Sequence, residues 1–187
     1  MTDAVENRSK ETGNHVKRMA LTSKVLGEAY GLDRHDVKIL YKAAPLHDIG
    51  KIAIPDHILN KPGKLTPEEW ETMKTHAQIG HDILASSELE VLRAGAVVSV
   101  GHHENWDGSG YPKGIAGENI PIFARIAALA DVFDALINKR SYKHAWDIED
   151  VRKFFVEMNG VKFQPELVDL LFENEAKLLE IQRAYPD

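Results

Sequence analysis

Apolar residues recur three and four positions apart along most of this chain, and nowhere do β-branched residues alternate with polar ones between paired turn dipeptides. That spacing gathers the apolar positions on one side of successive helices and predicts an all-α domain. A first helix is expected from about Ser9 to Tyr30, on Val16, Met19, Ala20, Leu26 and Ala29, with Gly31 as its stop. A second starts at the candidate N-cap Asp33 and runs through Val37, Leu40, Tyr41 and Ala44 towards Leu46 and His47. Pro55, Pro62 and Gly63 interrupt the stretch from Ile52 to Leu65, which reads as a loop with a short turn. The third helix has the clearest start: Thr66 as N-cap, Pro67 in the first helical position and Glu69 completing a capping box, with Trp70, Met73 and His76 to follow. A further helix from Glu88 to His103 empties into the glycine-rich loop Asp107-Gly108-Ser109-Gly110-Tyr111-Pro112. Pro121 then opens a strongly amphipathic helix through Ile122, Ile126, Leu129, Ala130, Phe133, Leu136 and Ile137. Two more, from about Asp147 to Asn159 and Pro165 to Ala184, finish the chain.

Composition narrows the chemistry rather than the fold. With 187 residues, 43% of them hydrophobic, a single domain is expected over 1–187, with a core of about 9–184. There is no cysteine, so thiolate metal sites and cysteine nucleophiles are excluded and any metal must sit on His, Asp and Glu. The balance of 23 Lys+Arg against 29 Asp+Glu argues against a general binder of DNA or RNA, while leaving room for a local cationic pocket. The longest small-and-apolar run, Ala94 to Gly101, falls far short of the ~18 residues of a spanning helix. Residues 1–11 are rich in charge and lack the apolar core of a signal peptide. No membrane association and a cytoplasmic location are expected.

The nine histidines carry the candidate chemistry. Glu11 and His15 lie four apart and project from one helix face, as two ligands of one metal must, although such pairs more often face solvent. Three His-Asp dipeptides occur. His35-Asp36, in the polar first turn after Asp33, and His81-Asp82 read as surface. His47-Asp48 differs, because Pro45-Leu46 and Ile49-Gly50 frame it with apolar residues among which an unpaired charge is costly. His102 and His103 point about 100° apart on a helix, which suits two different metals or a polar helix end near the negative dipole terminus. Asp131 stands alone among Ile126, Ala127, Ala128, Leu129, Ala130, Val132 and Phe133 and so needs a cation, either a metal or a buried arginine such as Arg125 or Arg140.

Together, His47-Asp48-Ile49-Gly50-Lys51, His102-His103-Glu104 and Asp107-Gly108-Ser109-Gly110-Tyr111-Pro112 resemble the HD-GYP phosphodiesterases, a bacterial branch of the HD superfamily. The likeness runs in order from Glu11-Thr12-Gly13-Asn14-His15, through Lys61-Pro62-Gly63-Lys64-Leu65-Thr66 and Ala124-Arg125-Ile126, to Phe163-Gln164-Pro165-Glu166-Leu167. It implies an HD-domain helical bundle with a metal centre in its core. By position it implies metal ligands at His15, His47, Asp48, His76, His102, His103 and Asp131, with Glu11 helping to hold a third metal. The cofactor implied is two or three divalent ions, iron or manganese. The activity implied is hydrolysis of cyclic di-GMP to linear pGpG, and in some members onward to GMP, by a metal-bridging hydroxide attacking phosphorus. Asp48 and Lys51 would be the catalytic pair, Lys51 also contacting a phosphate oxygen with Arg140 and Lys143. Ser141 and Lys139 depart from the proline and acidic residue usual beside that basic pair.

The loop Gly110, Tyr111 and Pro112 is not a ligand set. It reads either as a turn that buries Tyr111 and orients His102 and His103, or, from the resemblance, as a contact surface for diguanylate cyclase (GGDEF) domains. Two rivals come from other classes: a non-catalytic cyclic-dinucleotide sensor, and a diiron oxidase of the same fold. Such domains usually follow a receiver or other sensory domain, which this chain is expected to lack. The first helix starts almost at Met1, so a partner helix or dimer contact is counted with what this chain is expected to lack, and a homodimer is one assembly to test.

Overall fold

A computed structural model of the chain describes residues 13–138 and 146–186. Among these it is all helical, with only one isolated bridge, Asn159 to Phe163, outside helices and turns. The chain begins with α1 (Gly13–Tyr30) and α2 (Arg34–Ala43), passes through short turns and the one-turn α3 (Asp56–Leu59), and continues as α4 (Pro67–Ala85), α5 (Glu90–Gly101) and, beyond the long loop, α6 (Ile122–Ile137). The bundle is closed by α7 (Ile148–Glu157), α8 (Pro165–Glu173) and α9 (Glu175–Ala184).

The terminal signals act where the residue types place them. Gly31 adopts φ 91° after α1, and the Asp33 side chain accepts from the Asp36 amide to cap α2. At α4 both halves of the capping box form, the Thr66 hydroxyl accepting from Glu69 N and the Glu69 carboxylate from Thr66 N. Two elements differ from expectation. The second helix ends at Ala43 because Pro45 has no amide to donate, and the chain tightens into two 3₁₀ turns, Ala44–Leu46 and Ile49–Ala53, with His47 and Asp48 between them. The last helix is split at Asn174, whose side-chain amide donates to the Leu170 carbonyl and competes with the helix ladder.

Buried almost all round, α6 is the axis of the fold. Its Ile126, Leu129 and Phe133 join Met19 and Leu26 of α1, Leu40 of α2 and Phe155 of α7 in one core, while Leu46, Ile49, Leu84 and Ala96 form a smaller apolar cluster. Between 3₁₀ turn and α4 the backbones nearly touch. A Cβ on Gly50 would lie 2.0 Å from the His76 carbonyl oxygen, and one on Gly80 would lie 2.1 Å from Ser99 Oγ. Only glycine at both positions lets the His47-Asp48 segment press against the helix that carries His76. Ser99 Oγ fastens the crossing from α5, donating to the His47 carbonyl at 2.9 Å. No helix among the described residues is long and apolar enough to cross a membrane.

Candidate metal centre

Five segments converge on one buried cluster. α1 brings His15, the turn between the two 3₁₀ segments brings His47 and Asp48, α4 brings His76, the end of α5 brings His102 and His103, and α6 brings Asp131. The potential ligand atoms fall into two groups, each with all members within 4.8 Å of one another: Asp48, His76, His102 and His103, and His15, His47 and Asp131. Asp48 joins them. Its Oδ1 lies 3.3 Å from His76 Nε2 and 3.7 Å from His102 Nε2, while its Oδ2 lies 3.2 Å from His47 Nε2. In the second group, Asp131 Oδ1 lies 3.9 Å from both His15 Nε2 and His47 Nε2.

The backbone decides which face each imidazole offers. Nδ1 of His47, His76 and His102 lies 3.1, 2.7 and 2.8 Å from the carbonyl oxygen three residues earlier, on Ala44, Met73 and Ser99. A carbonyl only accepts, so Nδ1 donates and a neutral ring is left with a lone pair on Nε2, directed at the cluster. Holding one ring nitrogen through a protein acceptor in this way is how metal-ligating histidines are oriented. Burial, partly offset by the Asp48 carboxylate, pushes the His76 imidazole down to about 4, and burial pushes His103 well below the usual range. Burial pushes the Asp48 carboxyl up, but the Lys51 ammonium and His47 outweigh it and hold the group ionised. Lys51 Nζ donates to Asp48 Oδ2.

The result is a set of lone pairs facing lone pairs. Among the described residues, Asp48 Oδ1 and His102 Nε2 are buried without a hydrogen-bond partner, and His76 Nε2, 3.1 Å from His103 Nε2, also faces the same carboxylate oxygen. Such an arrangement is costly without a cation among its members. Nitrogen and oxygen donors of this kind, with no thiolate, fit a first-row divalent ion. The buried His/Asp cluster therefore fits divalent metal binding.

Behind the cluster lies a layer that the sequence pattern did not single out. His15 Nδ1 is 2.7 Å from Asp134 Oδ2, and Asp134 in turn takes Arg18 Nε at 2.6 Å and Arg18 Nη2 at 3.0 Å. Both Asp134 and Arg18 are 1% exposed. Burial raises the Asp134 carboxyl, and its bonds to His15 and Arg18 reverse that and lower it. A buried arginine thus pairs with an acidic residue of α6, Arg18 with Asp134. Arg125 donates to Gln164 Oε1 at 2.7 Å and lies over the Trp106 ring, while Arg140 falls outside the described residues. The i,i+3 spacing of His15 and Arg18, facing an acidic residue three past Asp131, was the available signal.

The glycine-rich loop is built onto the same cluster. A Cβ on Gly110 would lie 2.3 Å from Asn105 N and 2.5 Å from the His103 carbonyl oxygen, so only glycine passes there. Tyr111 N donates to that carbonyl, and the Tyr111 ring stacks on His103 at 4.6 Å between centroids. Glu104, 3% exposed, takes the Lys113 amide at 2.7 Å and the Ile115 amide at 3.1 Å and so pins the loop's far side. Lys162 reaches Asn105 Oδ1 at 3.3 Å, and burial lowers its ammonium despite the Asp131 charge. His35-Asp36 and His81-Asp82 remain at the surface, His35 beside Glu90 at 2.9 Å and His81 beside Asp82 at 3.0 Å. Glu11 and Lys143 also lie outside the described residues.

Comparison with known proteins points the same way. The family described as HD domain matches residues 1–167. The chain is 46% identical over 187 residues to a 3'3'-cGAMP-specific phosphodiesterase 2 of Vibrio cholerae, covering all of this chain and 36% of that protein. It is 45% identical over 178 residues to the cyclic di-GMP phosphodiesterase response regulator RpfG of Xanthomonas campestris, covering 95% and 47%. With a cyclic di-GMP phosphodiesterase of Thermotoga maritima it shares 42% over 182 residues, covering 97% and 50%. The chain thus spans between about a third and a half of the length of these curated relatives. In fold it is similar to a crystal structure of a cyclic GMP-AMP-specific phosphodiesterase of V. cholerae, with a TM-score of 0.69 at 23% identity over 100% of this chain and 51% of that one. It is similar also to an HDG"Y"P protein of Bdellovibrio bacteriovorus, with a TM-score of 0.68 at 21% identity over 94% and 56%.

Proposed function

The chain belongs to the HD domain family, and from that premise we propose that it is a metal-dependent phosphodiesterase that opens cyclic di-GMP or a related cyclic dinucleotide to the linear form, and on to the mononucleotide. One observation carries the reading: Asp48 turns one carboxylate oxygen to each of two groups of imidazole lone pairs, the arrangement of a ligand shared by two cations. The names of the curated relatives supply the substrate class.

His15, His47 and Asp131 would hold one ion and His76, His102 and His103 the other, with Asp48 between them. Glu11, four residues before His15, would extend the first group to a third ion. The nitrogen and oxygen donors suit iron or manganese. Bound metal supplies a water acidified to hydroxide at neutral pH and charge neutralisation on the phosphoryl oxygens. The chain supplies position and charge. The three carbonyl-anchored rings keep their Nε2 atoms fixed without reorganisation, and Lys51, 22% exposed at the side chain, reaches from Asp48 towards the phosphate and stabilises the charge that grows on its oxygens. Arg140 and Lys143 would hold the second phosphate or a base, and the Gly110-Tyr111-Pro112 loop would double as a docking surface for diguanylate cyclase domains.

The test is turnover of cyclic di-GMP and 3'3'-cGAMP by anaerobically purified chain loaded with iron or manganese, with products separated by chromatography and metal counted per chain. Linear dinucleotide or mononucleotide with two or three metals bound is the expected result. Full metal loading without any product overturns the proposal.

A further inference from the structure

We infer that Trp70 is the stacking platform for one purine base of the substrate, standing at the outer end of an aromatic wall that starts on a candidate metal ligand; the inference rests on the cyclic-dinucleotide reading above. The wall is built of three rings. The Tyr111 ring lies nearly parallel to His103, at 26° and 4.6 Å, and meets the Trp70 indole edge-on at 81° and 5.9 Å. Lys74, one turn further along α4, places its ammonium 5.8 Å from the Tyr111 centroid while pairing with the Glu71 carboxylate at 2.9 Å.

Trp70 is not there to fill the core. It is 45% exposed, and neither apolar cluster of the described residues includes it. A lone exposed indole is ordinary in itself; what sets Trp70 apart is that its ring continues the contact from His103 through Tyr111. Its helical turn is firmly set, and the Tyr111 ring bears on the indole itself at 5.9 Å. The Trp70 amide donates to the Thr66 carbonyl at 2.8 Å in the turn fixed by the capping box, and Lys61 bonds the Glu69 carboxylate of that box at 2.5 Å. A platform that does not need ordering loses little entropy on binding.

Its place along α4 suits a base. Trp70 lies six residues before His76, about 9 Å along the helix axis at 1.5 Å per residue. The scissile phosphate of a cyclic dinucleotide must sit at the imidazole cluster, and the base attached through the neighbouring ribose then extends outward by one nucleotide. Purines offer two broad π-faces, and stacking on an aromatic side chain is tolerant of which purine it is. The wall therefore accepts guanine and adenine alike, and it contributes to holding the substrate rather than to breaking the bond.

Two variants separate this role from packing. Trp70→Leu keeps an apolar side chain of comparable reach without a π-face, and Trp70→Phe keeps the face. Steady-state kinetics of the metal-loaded chain with cyclic di-GMP should show KM raised about tenfold in Trp70→Leu, kcat changed by less than about threefold, and most of the loss restored in Trp70→Phe. The quenching of tryptophan emission by the nucleotide in the wild type should be largely lost in both variants, since the stacked indole is gone. If the wild type turns the substrate over and Trp70→Leu keeps its KM, the platform is wrong. If the wild type turns over no cyclic dinucleotide, the phosphodiesterase reading itself has failed and this inference falls with it.

Discussion

Asp131 and Asp134 stand one turn apart on α6 and flank the same imidazole, yet they live under opposite rules. Asp134 takes the Nδ1 side of His15 at 2.7 Å, is buried, and is matched by the fork of Arg18. Asp131 faces the Nε2 side at 3.9 Å, with its side chain 22% exposed, and shares that outlook with His47. A carboxylate that is closed off from water must carry its own permanent cation, and a bidentate guanidinium is the group that suits it. A carboxylate that is 22% exposed and turned towards two imidazole nitrogens is instead placed to help hold an exchangeable ion. The difference divides the site into a part that holds shape and a part that holds chemistry, with the His15 ring as the boundary.

The largest effect tests the chemical half. Asp131→Ala removes a candidate ligand without opening the core, so turnover should fall by about 10⁴-fold, near 5.5 kcal/mol of transition-state stabilisation. The midpoint of thermal unfolding of chelator-stripped protein should move by no more than roughly 2–4 °C, about 1 kcal/mol. Steady-state assays and calorimetry on the same preparation check it. Turnover near wild type would show that Asp131 is not in the site.

The same deletion one turn on should do the reverse. Asp134→Ala removes the carboxylate that takes Arg18 Nε and Nη2 and His15 Nδ1, and so unbalances the buried guanidinium and loosens His15. Breaking a buried ion pair from one side costs about 3–5 kcal/mol, so urea unfolding should shift by that amount in metal-free protein. Replacing both partners with apolar residues, Asp134→Leu with Arg18→Met, should recover a large part of the loss. That recovery would mark the pair as structural, whereas additive losses would show that the charges matter for something beyond holding the ring.

Most of this architecture was readable before any coordinates, because its signals are local. The capping box at Thr66, the stop at Gly31 and the helical spacing of α6 depend on residues a few positions apart, and each formed as read. The seven candidate ligands within the described residues came from a motif resemblance, and folding gathers them from five segments. What was not readable needed long-range geometry. From the sequence, Asp131 and Asp134 differ little, since both sit in an apolar run; only the seating of α1 against α6 brings the Arg18 fork onto Asp134. The split at Asn174 escaped for another reason, since a single asparagine is tolerated in many helices, and only its bond to the Leu170 carbonyl commits it to a break.

The smallest effect separates the two halves by pH. In metal-free protein the His76 imidazole has its pKa pushed down from 6.5 to about 4 by burial, so the folded form refuses a proton that the unfolded chain accepts. Between those values the unfolded state binds more protons, and stability must fall as pH falls; above pH 6.5 both states are neutral at this ring and it contributes no slope. A gap of that size corresponds to about 3 kcal/mol lost between pH 6.5 and 4. The Asp134 carboxyl is lowered from 3.8, so its contribution is whole above that value and is lost only as pH drops further, through its folded value. Urea midpoints measured from pH 7 to 3 should therefore show an imidazole-governed decline first and the loss of the Asp134 pair last. Loading the metals should flatten the first part, because ligands held by a cation do not take up protons until the cation leaves. A metal-free protein with no slope between pH 6.5 and 4 would mean that the cluster admits protons freely in the folded state, and that it is less closed to water than the orphaned Asp48 Oδ1 and His102 Nε2 require.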